Sequence, residues 1–190
     1  RQVIRKFDSD ANALLEAIID QLHPKGKISR EKRGLWPRYC VTILSAARFF
    51  GQFQDGAEFL DWARHFYNDQ RMIAALPLIL SEEIEGIGYA LACDFLKELG
   101  FRDYGKPDVH IITIFKELGL CERDARPYQI QKSIARIAGN CGVSSYHVDK
   151  LFWLIGSGYF YKHPNLGKAG KIGGNREPFI LDFRTKHQGA

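Results

Sequence analysis

Apolar residues along the chain recur at steps of three and four, and no stretch alternates in the manner of a strand. Between Asp8 and Leu22, the positions Leu14, Leu15, Ile18, Ile19 and Leu22 share one helical face behind the cap candidates Asp8, Ser9 and Asp10. Pro37 suits a first helical position, and Val41, Leu44, Ala47 and Phe50 keep the spacing until Gly51. Asp55 is placed to cap a helix carrying Phe59, Leu60, Trp62, Ala63 and Phe66, and Pro77 opens a short one from Leu78 to Glu83. The run Leu91, Ala92, Phe95, Leu96 and Leu99 closes at Gly100, and Asp108 precedes another built on Ile111, Ile114, Phe115 and Leu118. Pro127 starts a helix through Ile130, Ile134, Ile137 and Ala138, and Ser144 or Ser145 caps a last one through Val148, Leu151, Phe152 and Ile155. The pattern predicts an all-α protein.

At 190 residues the chain suits one domain, or two small helical lobes sharing a central cleft. The expected division places residues 35–119 in a central lobe and joins 1–34 to 120–161 in the other. Residues 162–190, rich in Gly and basic side chains, form a tail whose patch from Phe179 to Phe183 can pack back on the body. Cys40, Cys93, Cys121 and Cys141 are scattered without any Cys-x-x-Cys pair, which argues against a zinc ribbon or a cysteine-held iron–sulfur cluster. Reduced thiols fit an intracellular compartment, the cytoplasm or nucleoid of a bacterium or the nucleus of a eukaryote. No apolar run approaches a membrane span, so no membrane partner is expected.

The formal net charge is +5, and its placement is uneven. The last segment, from Lys162 on, holds six Lys or Arg against two acids, and the stretch from His23 to Arg38 sets Lys25, Lys27, Arg30, Lys32, Arg33 and Arg38 against Glu31 alone. Two basic segments on a nearly neutral body read as solvated loops or as footprints for a polyanion, whose neutralised phosphates release counterions. Lys27, Arg30, Arg33, Lys168 and Lys171, with Arg176, are the phosphate-contact candidates.

The turn Ile84-Glu85-Gly86-Ile87-Gly88 separates two helical patterns. Its glycines permit positive φ and close approach of a ligand to the backbone, while the N–H groups opening the next helix lack intrahelical partners. Ile84 and Ile87 are expected to point into the core. Such a turn serves as an ordinary helix connection or as a phosphate anchor.

With Lys106-Pro107-Asp108-Val109-His110-Ile111 beyond it, the run from Ile84 to Ala92 resembles the helix-hairpin-helix superfamily of DNA glycosylases, over about 30 residues. In that superfamily a glycine hairpin is followed, one helix and one loop later, by an Asp at a helix start, commonly as Asp-x-His. The resemblance implies a DNA-binding hairpin at Ile84, Gly86, Ile87, Gly88, Tyr89 and Ala90, and a catalytic acid at Asp108. It implies a structural His110 and a monovalent cation held by carbonyls such as those of Ile84 and Gly86. No other cofactor is implied, and the partner is double-stranded DNA met by a monomer. Members that also cut the backbone carry a Lys two positions after the second glycine and 18 before the Asp; here that position is Ala90.

A carboxylate at this place has a chemical use. Breaking an N-glycosidic bond builds positive charge on the sugar, which a fixed carboxylate stabilises while orienting water. Asp108 also suits a plain N-cap. A covalent route needs an amine; Ala90 has none, and Lys106 and Lys97 are the nearest substitutes in sequence. The expectation is a monofunctional glycosylase, with a non-catalytic hairpin module or a lyase using another lysine as alternatives. Trp36, Tyr39 and His110 are the base-pocket candidates and Tyr89 a possible wedge, whereas Trp62 and Trp153 sit in core stripes. Glu31, Asp94 and Asp149 are conjectural second acids.

Overall fold

Each regular element among the described residues is a helix, and most begin or end where a particular residue's chemistry dictates. The computed structural model describes residues 2–158 and 176–187. In chain order the helices are α1 (Gln2–Phe7), α2 (Ala11–Leu22), α3 (Leu35–Phe50), α4 (Gly56–Tyr67), α5 (Ala75–Glu83), α6 (Tyr89–Glu98), α7 (Val109–Glu117), α8 (Pro127–Cys141), α9 (Ser145–Ser157) and α10 (Arg176–His187). No strand occurs among these residues, so the all-α class read from the apolar spacing is the class observed.

Asp10 caps α2 by accepting from the Asn12 and Ala13 amides, and Asp55 caps α4 by accepting from Ala57 and Glu58. Pro127 opens α8, and Gly142 closes it at φ 66°. Helices α3 and α5 each start two residues ahead of Pro37 and Pro77. A proline is tolerated throughout a first turn, because those N–H groups have no intrahelical acceptor. Ser144 precedes α9 as expected, but its hydroxyl pairs with His147 Nδ1 at 2.9 Å instead of a backbone amide.

Two helices are not visible in the apolar pattern. One is α1, too short to show a stripe. The other is α10, whose Arg, Glu, Asp and Lys residues surround a narrow face of Phe179, Ile180 and Phe183. Part of the expected tail is therefore a helix. It packs on α7 and α9, with Phe179 edge-on to Phe152 and the Arg184 guanidinium donating to the Glu117 carbonyl at 2.6 Å.

The chain separates into two compact units, Arg1–Gly88 and Tyr89–Ala190. In the first, α2 packs on α3, α1 touches both and α4 meets α5, around a core of Leu14, Leu15, Cys40 and Leu44. Phe49, Phe53, Phe59, Trp62 and Phe66 form a second nucleus of ring contacts there, in which Trp62 is half-buried. In the second unit, α7, α8 and α9 pack on one another around Ile111, Phe115, Ile130, Ile134, Ala138 and Val148. This division lies elsewhere than the expected lobe boundaries: α2 finds its partner in the next long helix, and α7, the helix after Asp108, groups with the helices that follow it. Consecutive elements of a chain are usually adjacent in space, as α2 and α3 are. No helix among the described residues is long and apolar enough to cross a membrane.

Candidate functional site

In the first unit, the hairpin turn is shaped from beneath by α3. Ile84 is buried and Ile87 half-buried, and the Ile87 amide donates back to the Ile84 carbonyl at 3.1 Å. Ser45 Oγ accepts from the Glu85 amide at 2.9 Å and lies 3.5 Å from the Glu83 carbonyl. Gly86 has φ 87°, and a Cβ there would run into Thr42 Oγ1. Glycine is thus required twice over at this position. Gly88 differs: its φ is not positive, and a Cβ built on it would meet nothing within 4 Å. The fold of this chain gives no reason for a glycine at Gly88. The carbonyls of Ile84 and Gly86 are hard oxygen donors of the kind a monovalent cation takes, although Ile84 already spends one lone pair on Ile87.

The basic loop before α3 is exposed at Lys27, Arg30 and Arg33. Arg30 is committed to Glu16 in a two-pronged ion pair at 2.7 and 2.9 Å, whereas Lys27 and Arg33 make no ion pair among the described residues. Trp36 packs on the α2–α3 core and stands edge-on to Tyr39 at 6.3 Å; Tyr39 itself is 55% exposed. Lys168 and Lys171 lie outside the described residues.

In the second unit, Tyr89 opens α6 with a buried ring edge-on to Tyr128, and burial drives its hydroxyl pKa up. Its side chain is part of the core and no wedge. Ala90 follows, half-buried. Asp108 is the N-cap of α7: one oxygen, Oδ1, accepts from the His110 amide at 2.9 Å and from the Ile111 amide at 3.1 Å. The other, Oδ2, takes no hydrogen bond among the described residues, and the residue is half-buried. His110 packs against α9, where a Cβ on Gly156 would lie 2.5 Å from the His110 Cβ, and its buried Nδ1 has no hydrogen-bond partner among the described residues. That is a packing arrangement. His110 belongs to the second unit and Trp36 and Tyr39 to the first.

Also within the second unit is a cavity of about 250 Å³ walled by Asp94 and Lys97 of α6, Lys106, and Tyr146, Asp149 and Trp153 of α9. Trp153, read from the sequence as a core residue, is half-buried and lines this space, with Lys150 Nζ 4.7 Å from its ring centre. Four charges form a chain along one wall. Lys97 Nζ reaches Asp149 at 2.5 Å and Asp94 at 3.2 Å, and Lys106 Nζ reaches Asp94 at 2.8 Å. Burial opposes the charge on Lys97, but hydrogen bonds and attraction from Asp149 and Asp94 outweigh it and raise its pKa. Burial raises Asp149 above the ordinary 3.8, against the pull of Lys97 and the Lys106 backbone N–H, and the charge of Asp108 adds to the rise. Asp94 is lowered, because bonds from Lys106 and Lys97 overcome its burial. Among the described residues no group of three or more His, Cys, Asp or Glu side chains stands ready to hold a metal ion.

The chain is similar to an 8-oxoguanine DNA glycosylase/AP lyase of Korarchaeum cryptofilum (strain OPF8), with 26% identity over 102 residues. The match covers 50% of this chain and 47% of that protein, so the chain spans about half the length of its relative. No protein-family profile and no solved structure matches.

Sequence reasoning named Gly86, Gly88, Asp108, the Lys97 and Lys106 amines and the Asp94 and Asp149 carboxylates that pair with them, but not the side chains that shape the turn. Thr42 and Ser45 read as polar interruptions of the α3 stripe, and that interruption at helical spacing was the available signal. Trp153 followed the apolar spacing of α9 too well to be told from core.

Proposed function

We propose that this chain is a DNA base-excision glycosylase of the helix-hairpin-helix kind that uses water, with no enzyme amine, to displace the base. The observation that carries the reading is Asp108, held at the start of α7 by one carboxylate oxygen while the other stays uncommitted, 18 residues after Ala90. The hairpin adds support. Gly88, which no internal contact explains, leaves the backbone before α6 open to an outside atom, as a phosphate bound through backbone N–H groups requires. The similarity to a glycosylase/AP lyase supports the glycosylase part of the reading.

The chemistry follows from charge. As the bond between base and sugar breaks, its electron pair leaves with the base and the sugar becomes oxocarbenium-like. The free oxygen of Asp108 stabilises that cation and orients the water whose oxygen bonds to the sugar carbon, and the proton the water gives up ends on the departed base. The extruded base is taken into the cavity of the second unit, whose Trp153 and Tyr146 rings offer stacking faces and whose Asp94–Lys106 pair offers an acceptor and a donor to base edges.

The lyase route is disfavoured by the state of the lysines. Ala90 carries no amine, and both Lys97 and Lys106 are ion-paired, with Lys97 held more firmly protonated than usual. An ammonium is no nucleophile. The test is incubation with duplex oligonucleotides carrying single modified or mismatched bases, 8-oxoguanine among them, followed by detection of free base and borohydride trapping. Free base with an intact abasic strand and no trapped adduct is expected. Salt-sensitive binding without any released base would leave the hairpin as a binding module only, and a trapped adduct would restore a lysine nucleophile.

A further inference from the structure

Residues Asp103 to Asp108 form the loop that delivers the carboxylate to α7, and the second unit spends its most deeply buried amide on that loop. Gln131 of α8 is fully buried. Its Nε2 donates to the Asp103 carbonyl at 2.9 Å, and its Oε1 accepts from the Gly105 amide at 2.9 Å. A single side-chain amide therefore bridges a carbonyl and an N–H two residues apart, and the Gly105 N–H that it satisfies is buried. Beside it, Ile134 fills the space where a Gly105 Cβ would stand, 2.7 Å from its Cγ2 and 2.9 Å from its Cδ1. The downstream end of the same loop is tied by the Asp108 amide to the Lys106 carbonyl at 2.7 Å and by Lys106 Nζ to Asp94 at 2.8 Å.

A buried polar side chain with no route to solvent costs stability unless its bonds are complete, and an apolar residue of equal size is the cheaper filling for a core. In a helix whose neighbouring inward positions are Ile130, Ile134 and Ala138, Gln131 stands out as the polar member. Its bonds go to the loop alone. We propose that Gln131 is a positioning residue for Asp108: its amide fixes the height and direction at which the Asp103–Asp108 loop enters α7, and so sets where the uncommitted carboxylate oxygen stands. The effect on chemistry rests on the glycosylase reading above; the effect on the loop does not.

The test uses the full chain with Gln131→Met, which keeps the volume and removes both bonds, and reads two quantities. Amide hydrogen exchange of the folded protein is the first. Protection at Gly105 is expected to fall and the loss to spread to His110 and Ile111, whose amides Asp108 caps, while Ile130 and Ile134 amides keep theirs. Unchanged exchange at His110 and Ile111 would overturn the proposal whether or not any base is released. The second is single-turnover base release from an 8-oxoguanine duplex against affinity for the same duplex. A loss of roughly 10- to 100-fold in rate, of the size expected for a misplacement of about 1 Å, is predicted, with affinity within about twofold. Equal losses in rate and affinity, or a rate that follows only the folded fraction, would assign Gln131 to core stability and reject the positioning role. Wild-type protein inactive on every duplex sinks the glycosylase reading and leaves the exchange result to decide the loop. Should Gln131→Met not fold, Gln131→Glu keeps an acceptor for Gly105 and loses the donor to Asp103, and the loss of protection at His110 and Ile111 is expected with Gly105 keeping its own.

Discussion

At Asp108, one carboxylate oxygen closes the backbone of α7 and the other is left over, so stability and chemistry separate by substitution. Asn is as good a cap as Asp but carries no charge. Asp108→Asn should therefore melt within a degree or two of wild type, whereas Asp108→Ala should lose about 1 kcal/mol through the cap; thermal unfolding checks both. The two hairpin glycines separate in the same manner. Gly86→Ala meets both a positive φ and Thr42 Oγ1, and should cost on the order of 1–3 kcal/mol. Gly88→Ala meets nothing, and should leave the melting temperature alone while weakening duplex DNA binding, measured by fluorescence anisotropy. Residues with local signatures, Gly86 and the caps Asp10, Asp55 and Asp108, were legible in the sequence because backbone geometry demands particular residue types. Gln131 was not, since its role depends on where a loop from 26 residues upstream comes to rest.

Helix α6 is tied to α9 by charge, and the Lys97–Asp149 pair is shielded from water, with side-chain exposures of 11% and 6%. Removing one member leaves the other buried and uncompensated, so Lys97→Met should cost about 3–5 kcal/mol, while Lys97→Met with Asp149→Leu should recover most of it. The pH dependence has a definite sign. The folded-state pKa of Lys97 is raised above its ordinary 10.5, so its stabilising contribution is fully present below 10.5 and is lost as pH climbs through the raised value. Denaturant midpoints measured between neutral and strongly alkaline pH should show that decline in wild type and lack it in the Lys97→Met, Asp149→Leu pair. At this scale the apolar period, and for α5 its proline, revealed all the helices among the described residues but α1 and α10. Helix α10 hides its face among charges, and which helices would share a core was not written in any one stripe.

For the whole molecule, Lys27 and Arg33, which make no ion pair among the described residues, belong with the hairpin to one unit, and Asp108 and the cavity walled by Asp94 and Lys106 belong to the other. Binding and chemistry are thereby open to separate attack. Replacing Lys27 and Arg33 together by Ala should weaken duplex binding on all sequences alike and lower the slope of log affinity against log salt by about 2, since each phosphate contact contributes roughly 0.9. The rate of base release from saturated complexes should stay as it was. The most direct measurement of the central claim is single-turnover base release by wild type and Asp108→Asn on the same modified duplex, at protein concentrations that saturate both. The account predicts equal binding and a rate lower in the variant by on the order of 10²-fold or more. Equal rates would show that the Asp108 charge does not serve the reaction, and the assignment of this carboxylate would be wrong.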